Sequence, residues 1–348
     1  MTVVSVQALA ALALLLVDSE GTLWIGYVGL CTISALGAFV GPAAQASIPN
    51  LARTPEEHQT ASVMFGSLWG AMLAVGAALG GLVAGLFGRN VAFVANAASF
   101  AIAVGVVALI RRPMQASRED ESGRPRIRPI ADMREAFGYA RRDSTLLSLL
   151  SSKATFAMGA GVVGLLAVLV TEELGGGDTQ TGLIISARGL GVAVGPLIAA
   201  PFARTSLGRV LWICGVAGGI WGTAYLGLSV APTFAIALVL VLIGHLGGGA
   251  QWTLSTYGLQ ARSPDHVRGR ILAGDFGMVT LIMTLSNIAA GLLADAISVR
   301  PTIALFALLD IAAAATYLIA TRPVRERLLR EDEPALVTRR SGGSSVDP

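Results

Sequence analysis

Residues 51–57 read LARTPEE and residues 260–266 read QARSPDH, so a basic residue, a hydroxyl, a proline and an acid recur in order 209 positions later. Farther along, GLVAG from residue 81, ending in ALIRRP at 113, is matched by GLLAD from residue 291, ending in LIATRP at 323. That second offset is 210, which one inserted residue between the matches accounts for. Two matches at one offset, each placed alike with respect to apolar runs, are the signature of an internal duplication.

The runs around these segments are too apolar for a soluble protein. Of 348 residues, 54% are hydrophobic and only 14% charged, where soluble domains carry about 25% charged residues. The mean hydropathy is +0.69. A chain of this size with so little charge cannot cover a water-facing surface, and it is equally unlike a disordered or nucleic-acid-wrapping protein despite its pI near 9.2. Cys31 and Cys214 both lie in apolar stretches and provide neither a disulfide scaffold nor a metal cluster.

A membrane crossing needs about 20 apolar residues. Ten runs qualify as candidates: 3–17, 22–47, 60–87, 91–110, 144–171, 179–203, 208–229, 232–258, 271–297 and 301–320. One set of connections, with the tail, holds 21 basic residues, nine of them between Arg111 and Arg142; the opposite set holds only Arg89 and Arg300. The excess of positive charge predicts cytoplasmic termini and a cytoplasmic long loop. Subtracting the offset leaves the fifth and sixth runs without partners, so the expected arrangement is four spans plus six, short of a complete six plus six. Repeats of this size are typical of secondary transporters, whose sites lie near mid-membrane.

Five segments then resemble one family: GPAAQASIPNL (41–51), AFVANAASF (92–100), SARGLGVAVGPL (186–197), HLGGGAQWTLST (245–256) and SPDHVRGR (263–270). The chain resembles the major facilitator superfamily, in the branch of macrolide-efflux and enterobactin-exporter-like proteins, beginning at that family's third helix. The resemblance implies an all-α, polytopic membrane protein of two-bundle architecture. It also implies a secondary active transporter, with proton-coupled efflux of a lipophilic drug, macrolide or siderophore by alternating access. The alternative, suggested by the two helices without counterparts, is a truncated non-transporting fragment or scaffold.

Gly76, Gly80 and Gly81 resemble the antiporter motif of drug–proton exchangers, although that motif has proline where this chain has Ala77. The competing reading is close helix packing through small residues, as Gly66/Gly70, Gly191/Gly195 and Gly244/Gly248 also suggest. The loop at 204–210 sits where the family has its second-half loop motif but lacks that motif's acid, which leaves Arg204 and Arg209 as topology anchors.

Charges inside spans are costly unless partnered or hydrated. Lys153 and Arg188 each lie nine residues into consecutive helices from opposite sides, or about 13 Å deep at 1.5 Å per residue. They read either as a cationic patch for an anionic or electron-rich substrate group, or as a snorkelling lysine and an arginine tying down carbonyls. His245 could carry a proton or simply bond to a neighbour. Asp275 could couple protons or pair with Arg268 or Arg270 as a gate. Asp310 reads as half of a buried structural pair. Gln251, Trp252 and Tyr257 suit a bulky amphipathic ligand, although Trp and Tyr also anchor membrane interfaces. Arg262, Asp265, Arg268 and Arg270 form a candidate loop gate.

The expected organisation is an incomplete bundle over 1–110, a cytoplasmic linker over 111–142, a six-helix bundle over 143–323 and a disordered tail over 324–348. Residues 114–129 read as a flexible stretch, and Ile130, Met133 and Phe137 place a short amphipathic helix on the membrane surface. Three scattered histidines make no zinc site, and no phosphate-cradling loop or nucleophile elbow is present. The expectation is therefore no enzyme, no metal and no cofactor, with the proton gradient as energy source. Its partners would be a small-molecule substrate and the lipid bilayer, without nucleic acid, for a monomer in a bacterial inner membrane.

Overall fold

The computed structural model describes residues 2–17, 19–109 and 129–341, which form helices joined by short connections. The flexible stretch expected from 114 lies outside the described residues up to 128, as does the tail beyond 341.

By its contacts the chain forms two compact units, one of residues 1–50 and 76–126, the other of residues 51–75 and 127–348. The first unit holds α1 (Thr2–Ala13), most of α2 (Leu23–Leu51), the later part of α3 (Pro55–Phe87) and α4 (Arg89–Leu109). Within it α1 packs on α4, and the Gln7 amide donates to the Ile33 carbonyl at 3.0 Å, tying α1 to α2.

The second unit opens with the start of α3, followed by the short helix α5 (Pro129–Arg142) expected from the apolar spacing. Its body comprises α6 (Ser144–Gly159), the single turn α7 (Leu166–Val168), α8 (Asp178–Ala203), α9 (Leu207–Ser229), α10 (Phe234–Arg262), α11 (Asp265–Ile297) and α12 (Val299–Ala320). Among the described residues six segments are long and apolar enough to cross a membrane, α6 and α7 counting as one over 144–173. Side-chain caps fix several helix starts. Asp143 Oδ1 accepts from the amides of Thr145 (2.8 Å) and Leu146 (3.3 Å), Ser206 Oγ from Arg209, and Thr233 Oγ1 from Ile236, each satisfying amides that the first turn cannot pair.

Backbones approach closely where side chains are absent. A Cβ at Gly249 on α10 would stand 2.6 Å from the Val192 carbonyl oxygen on α8, and one at Gly195 on α8 would collide with the carbonyl of Leu246. In a lipid environment such contact replaces the hydrophobic drive that brings helices together in water. Gly66 and Gly70 on α3 press in the same way on Thr253 and on the backbone at Val192–Ala193.

The span containing α6 is not a regular helix. A 3-10 stretch over Ala160–Leu165 and a π turn over Leu169–Glu173 interrupt it. At the first break Ser286 of α11 intervenes: its hydroxyl accepts from the Gly161 amide at 3.0 Å and donates to the Met158 carbonyl at 2.6 Å.

The tail departs from expectation. Instead of disorder from 324, α13 (Arg322–Ser341) continues the chain as a helix. Arg322 and Arg327 pair with Glu326 and Glu331 at i,i+4 spacing, and Leu328 is buried.

A buried ion pair as candidate functional site

Both helices that carry the central charges turn them inward. On α6 the buried positions Leu146, Leu149, Lys153 and Ala157 recur at three- and four-residue spacing, so Lys153 occupies the stripe that meets the bundle interior. On α11 Ile271, Leu272, Asp275 and Val279 do the same for the carboxylate. The Lys153 ammonium donates to Asp275 Oδ2, and the two side chains are only 2% and 4% exposed. It also donates to Thr256 Oγ1 at 2.7 Å and stands 5.0 Å from the centroid of the Trp252 ring, where the negative face of the indole favours a cation. Thr256 Oγ1 in turn donates to the Trp252 carbonyl at 2.9 Å.

Gln251 completes this cluster. Its amide donates to the Ser152 carbonyl at 2.6 Å, while its Oε1, like Asp275 Oδ1, has no hydrogen-bond partner among the described residues. Two acceptors thus remain uncommitted beside the ion pair.

A second cluster lies about 10 Å away along α10, by the rise of seven residues from Trp252 to His245. His245 Nδ1 is 3.0 Å from the Val241 carbonyl. A carbonyl only accepts, so that contact places the ring proton on Nδ1. The His245 ring is 5.8 Å from that of Tyr225, which stacks on Trp221 at 4.0 Å. Arg188 of α8 is within electrostatic reach of both Tyr225 and His245, and its Nε is buried without a hydrogen-bond partner among the described residues.

The sequence-nominated residues therefore separate into groups. Lys153, Gln251, Trp252 and Asp275 meet, with Asp275 paired to Lys153 and not to Arg268 or Arg270. Arg188 and His245 form the second group. The loop residues form a third: Arg262 Nε binds Asp143 Oδ2 at 2.7 Å, Arg268 binds Asp265 at 2.9 Å and the carbonyls of Gln260 and Ser263, and Arg270 is half-buried one turn into α11. Gly76 and Gly80 on α3 would carry a Cβ with no atom within 4 Å among the described residues, and the packing of Gly81 lies outside them.

Several participants were not nominated. Thr256 is one turn beyond Trp252 on the same face, a spacing that could have marked it. Asp143 precedes Ser-Thr-Leu-Leu at the start of a span, the ordinary pattern of an N-cap. His58 was set aside with the other histidines, yet it is buried with its Nε2 3.0 Å from Gln260 Oε1, and Ser62 donates to the same oxygen at 2.9 Å. The Gln59 amide donates to the Arg204 carbonyl, so the first turns of α3 are fastened to α8 and α10.

Rim charges behave differently from the interior pair. Burial opposes ionisation of Asp143, but the Arg262 guanidinium and the amides of Thr145 and Leu146 outweigh it and hold the carboxyl below its ordinary 3.8. Asp143, Arg262 and Arg327 also line a cleft of about 260 Å³ at that end. On the opposite face Arg300 binds Glu173 at 3.1 Å and donates to the carbonyls of Ser229 and Ala231, joining three helix ends.

The fold is similar to that of the human organic anion transporter MFSD10: TM-score 0.70 at 14% identity, over 91% of this chain and 75% of that one. It is also similar to a bacterial homologue of the iron transporter ferroportin in its outward-facing state, with TM-score 0.64 at 14% identity over 91% and 81%. For the fucose:proton symporter of E. coli the TM-score is 0.60 at 11% identity, over 91% and 82%. No curated relative matches the sequence. The family model described as transmembrane secretion effector matches residues 1–337. With six helices among the described residues long and apolar enough to cross a membrane, and that match across nearly its whole length, the chain belongs to the transmembrane secretion effectors of the major facilitator superfamily, as a multi-pass membrane transporter and not an enzyme.

Proposed function

We propose that the chain is a secondary active exporter in a bacterial inner membrane, with cytoplasmic termini. It moves a lipophilic drug, macrolide or siderophore outward by alternating access, in exchange for protons. The observation that carries this reading is the buried Lys153–Asp275 pair, held on two helices and flanked by Trp252 and Thr256. Paired, the two charges cancel inside the bundle. A proton added to Asp275 leaves Lys153 as an uncompensated buried cation, a state that is strongly disfavoured unless water or an electron-rich substrate group reaches it. Proton binding and substrate binding are thereby linked through one ammonium, and such linkage is reciprocal.

The surrounding groups fit an amphipathic substrate. Trp252 offers an aromatic wall, Gln251 Oε1 an acceptor, and Arg188 Nε a donor two turns away along the bundle. The fasteners between the start of α3 and the C-terminal ends of α8 and α10, through His58, Gln59 and Ser62, are of the kind an alternating-access cycle must make and break.

The test is ethidium uptake into inside-out vesicles under an imposed proton gradient, with proton movement followed by a pH-sensitive dye. The wild type should accumulate ethidium and dissipate the gradient, and Asp275→Asn should lose both by at least about tenfold, the equivalent of 1.4 kcal/mol. Equal uptake by wild type, Asp275→Asn and empty vesicles would overturn the reading.

A further inference from the structure

A second acid in the same unit has been given no task. Asp310 stands midway along α12 and is 1% exposed. Neither carboxyl oxygen has a hydrogen-bond partner, and no ion pair includes it, among the described residues. The buried structural pair expected from the sequence is thus not formed.

The walls around this carboxyl are fitted to it. A Cβ at Gly159, the last residue of α6 before its break, would stand 2.7 Å from Asp310 Cβ and 2.9 Å from Oδ1. A Cβ at Gly222 on α9 would stand 3.1 Å from Oδ2. Two helices therefore approach the acid with glycine, and both would be blocked by any side chain. Besides Asp310, the buried titratable groups on helices α6 and α9–α12 are Lys153 on α6, Cys214 and Tyr225 on α9, His245 and Tyr257 on α10, Asp275 on α11 and Tyr317 on α12. No hydrogen bond joins any of them to Asp310 among the described residues. An ionised carboxylate with neither donor nor counter-ion is disfavoured in such a place, so the group resides there as the neutral acid.

Other buried donors lie on α9 and α12. Trp221 Nε1, Tyr225 OH and Tyr317 OH are all buried without hydrogen-bond partners, on the two helices that meet at Asp310. Unpaired polar groups are rare inside proteins, and the Trp221 ring borders the same gap, since a Cβ at Gly159 would stand 2.9 Å from it as well as 2.7 Å from Asp310 Cβ. The seam also adjoins a 3-10 interruption, a common mark of a hinge.

We propose that Asp310 is a second proton-carrying site of the transport cycle, separate from the Lys153–Asp275 pair and seated on the break in α6. When the contact with Gly159 opens, the carboxyl O–H bond breaks and the proton passes to water. The carboxylate is then met by the donors of α9 and α12, and it takes a proton back from water on the other side before the seam closes. This inference rests on the transporter reading above.

The experiment is infrared difference spectroscopy on the full chain in lipid vesicles, stepping the pH and following the C=O band of a protonated, buried carboxyl. Ethidium uptake under a proton gradient is measured on the same vesicles. The wild type should show the band at neutral pH, Asp275→Asn should keep it, and Asp310→Asn should lose it together with at least tenfold of the uptake. A wild type without the band, a band that survives in Asp310→Asn, or a band lost in Asp275→Asn overturns the proposal, as does undiminished uptake by Asp310→Asn. Should Asp310→Asn fail to fold, the wild-type and Asp275→Asn spectra decide the matter alone. If no vesicle moves ethidium, the exporter reading fails, while the spectra still decide whether Asp310 holds a proton.

Discussion

Two cation–carboxylate pairs in the second unit use similar chemistry in opposite surroundings. Lys153 and Asp275 meet in the interior, 2% and 4% exposed. Arg262 and Asp143 meet at the helix ends, 45% and 18% exposed. At the rim, water stabilises either charge alone, so the pair fastens α10 to the start of α6 without being indispensable to either. In the interior neither charge is tolerable without the other, so the pair acts as one unit whose two members must change state together. Burial, more than hydrogen-bond length, separates the two pairs.

The largest test of this contrast is Lys153→Ala, which strands the Asp275 carboxylate and should destabilise the protein by about 3–5 kcal/mol. Thermal unfolding in detergent measures it. The double variant Lys153→Ala/Asp275→Ala should recover most of that loss, and a double variant no more stable than Lys153→Ala would show that packing, not charge, dominates the interior site.

At the rim, Asp143→Ala removes a cap and an ion pair together and should cost about 1–2 kcal/mol. Asp143→Asn, which can still cap, should cost less. A loss as large as that of Lys153→Ala would erase the distinction between the two pairs.

Acid probes the same carboxylate more gently. Its ionised form is favoured in the fold, so its contribution is fully present above its ordinary 3.8 and is lost as the pH falls through the lower folded value. The stability difference between wild type and Asp143→Asn should therefore hold constant near neutrality and narrow below about pH 4. Widening on acidification would reverse the assigned sign.

The smallest effect belongs to Arg262→Ala, about 0.2–1 kcal/mol. It should shrink as salt is raised from 0.05 to 0.5 M, because an exposed pair is screened, whereas the Lys153→Ala effect should not. Equal salt sensitivity in the two variants would place both pairs in the same dielectric.

Much of this was legible in the sequence, because depth along a helix can be counted. The apolar runs and the duplicated loops predicted the helical membrane fold, and Lys153, Gln251, Trp252 and Asp275 were all singled out. Counting does not tell which way a helix is rotated or which neighbour it faces. For that reason Lys153 was set beside Arg188, and Asp275 beside Arg268 and Arg270, when α6 and α11 in fact turn the two charges toward each other. Asp310 shows the same gap from the other side, since its expected partner is not there. The helix at Arg322–Ser341 is carried by Arg–Glu pairs at i,i+4 spacing that the polar, Gly-Ser-rich composition of the tail obscures. Thr256 and His58 depend on contacts across 103 and 202 residues, which no local pattern encodes.

The hydroxyl of Ser286 uses its hydrogen and a lone pair on two backbone groups at the break in α6. In mechanical terms it is a rivet between the helix that bears the lysine and the helix that bears the aspartate. Sliding one past the other would shear both bonds at once. In the proposed cycle the ammonium and carboxylate would be parted by flexing the stretch between rivet and charge, so that some 10 Å of helix (seven residues from Lys153 to Ala160) would serve as the lever arm.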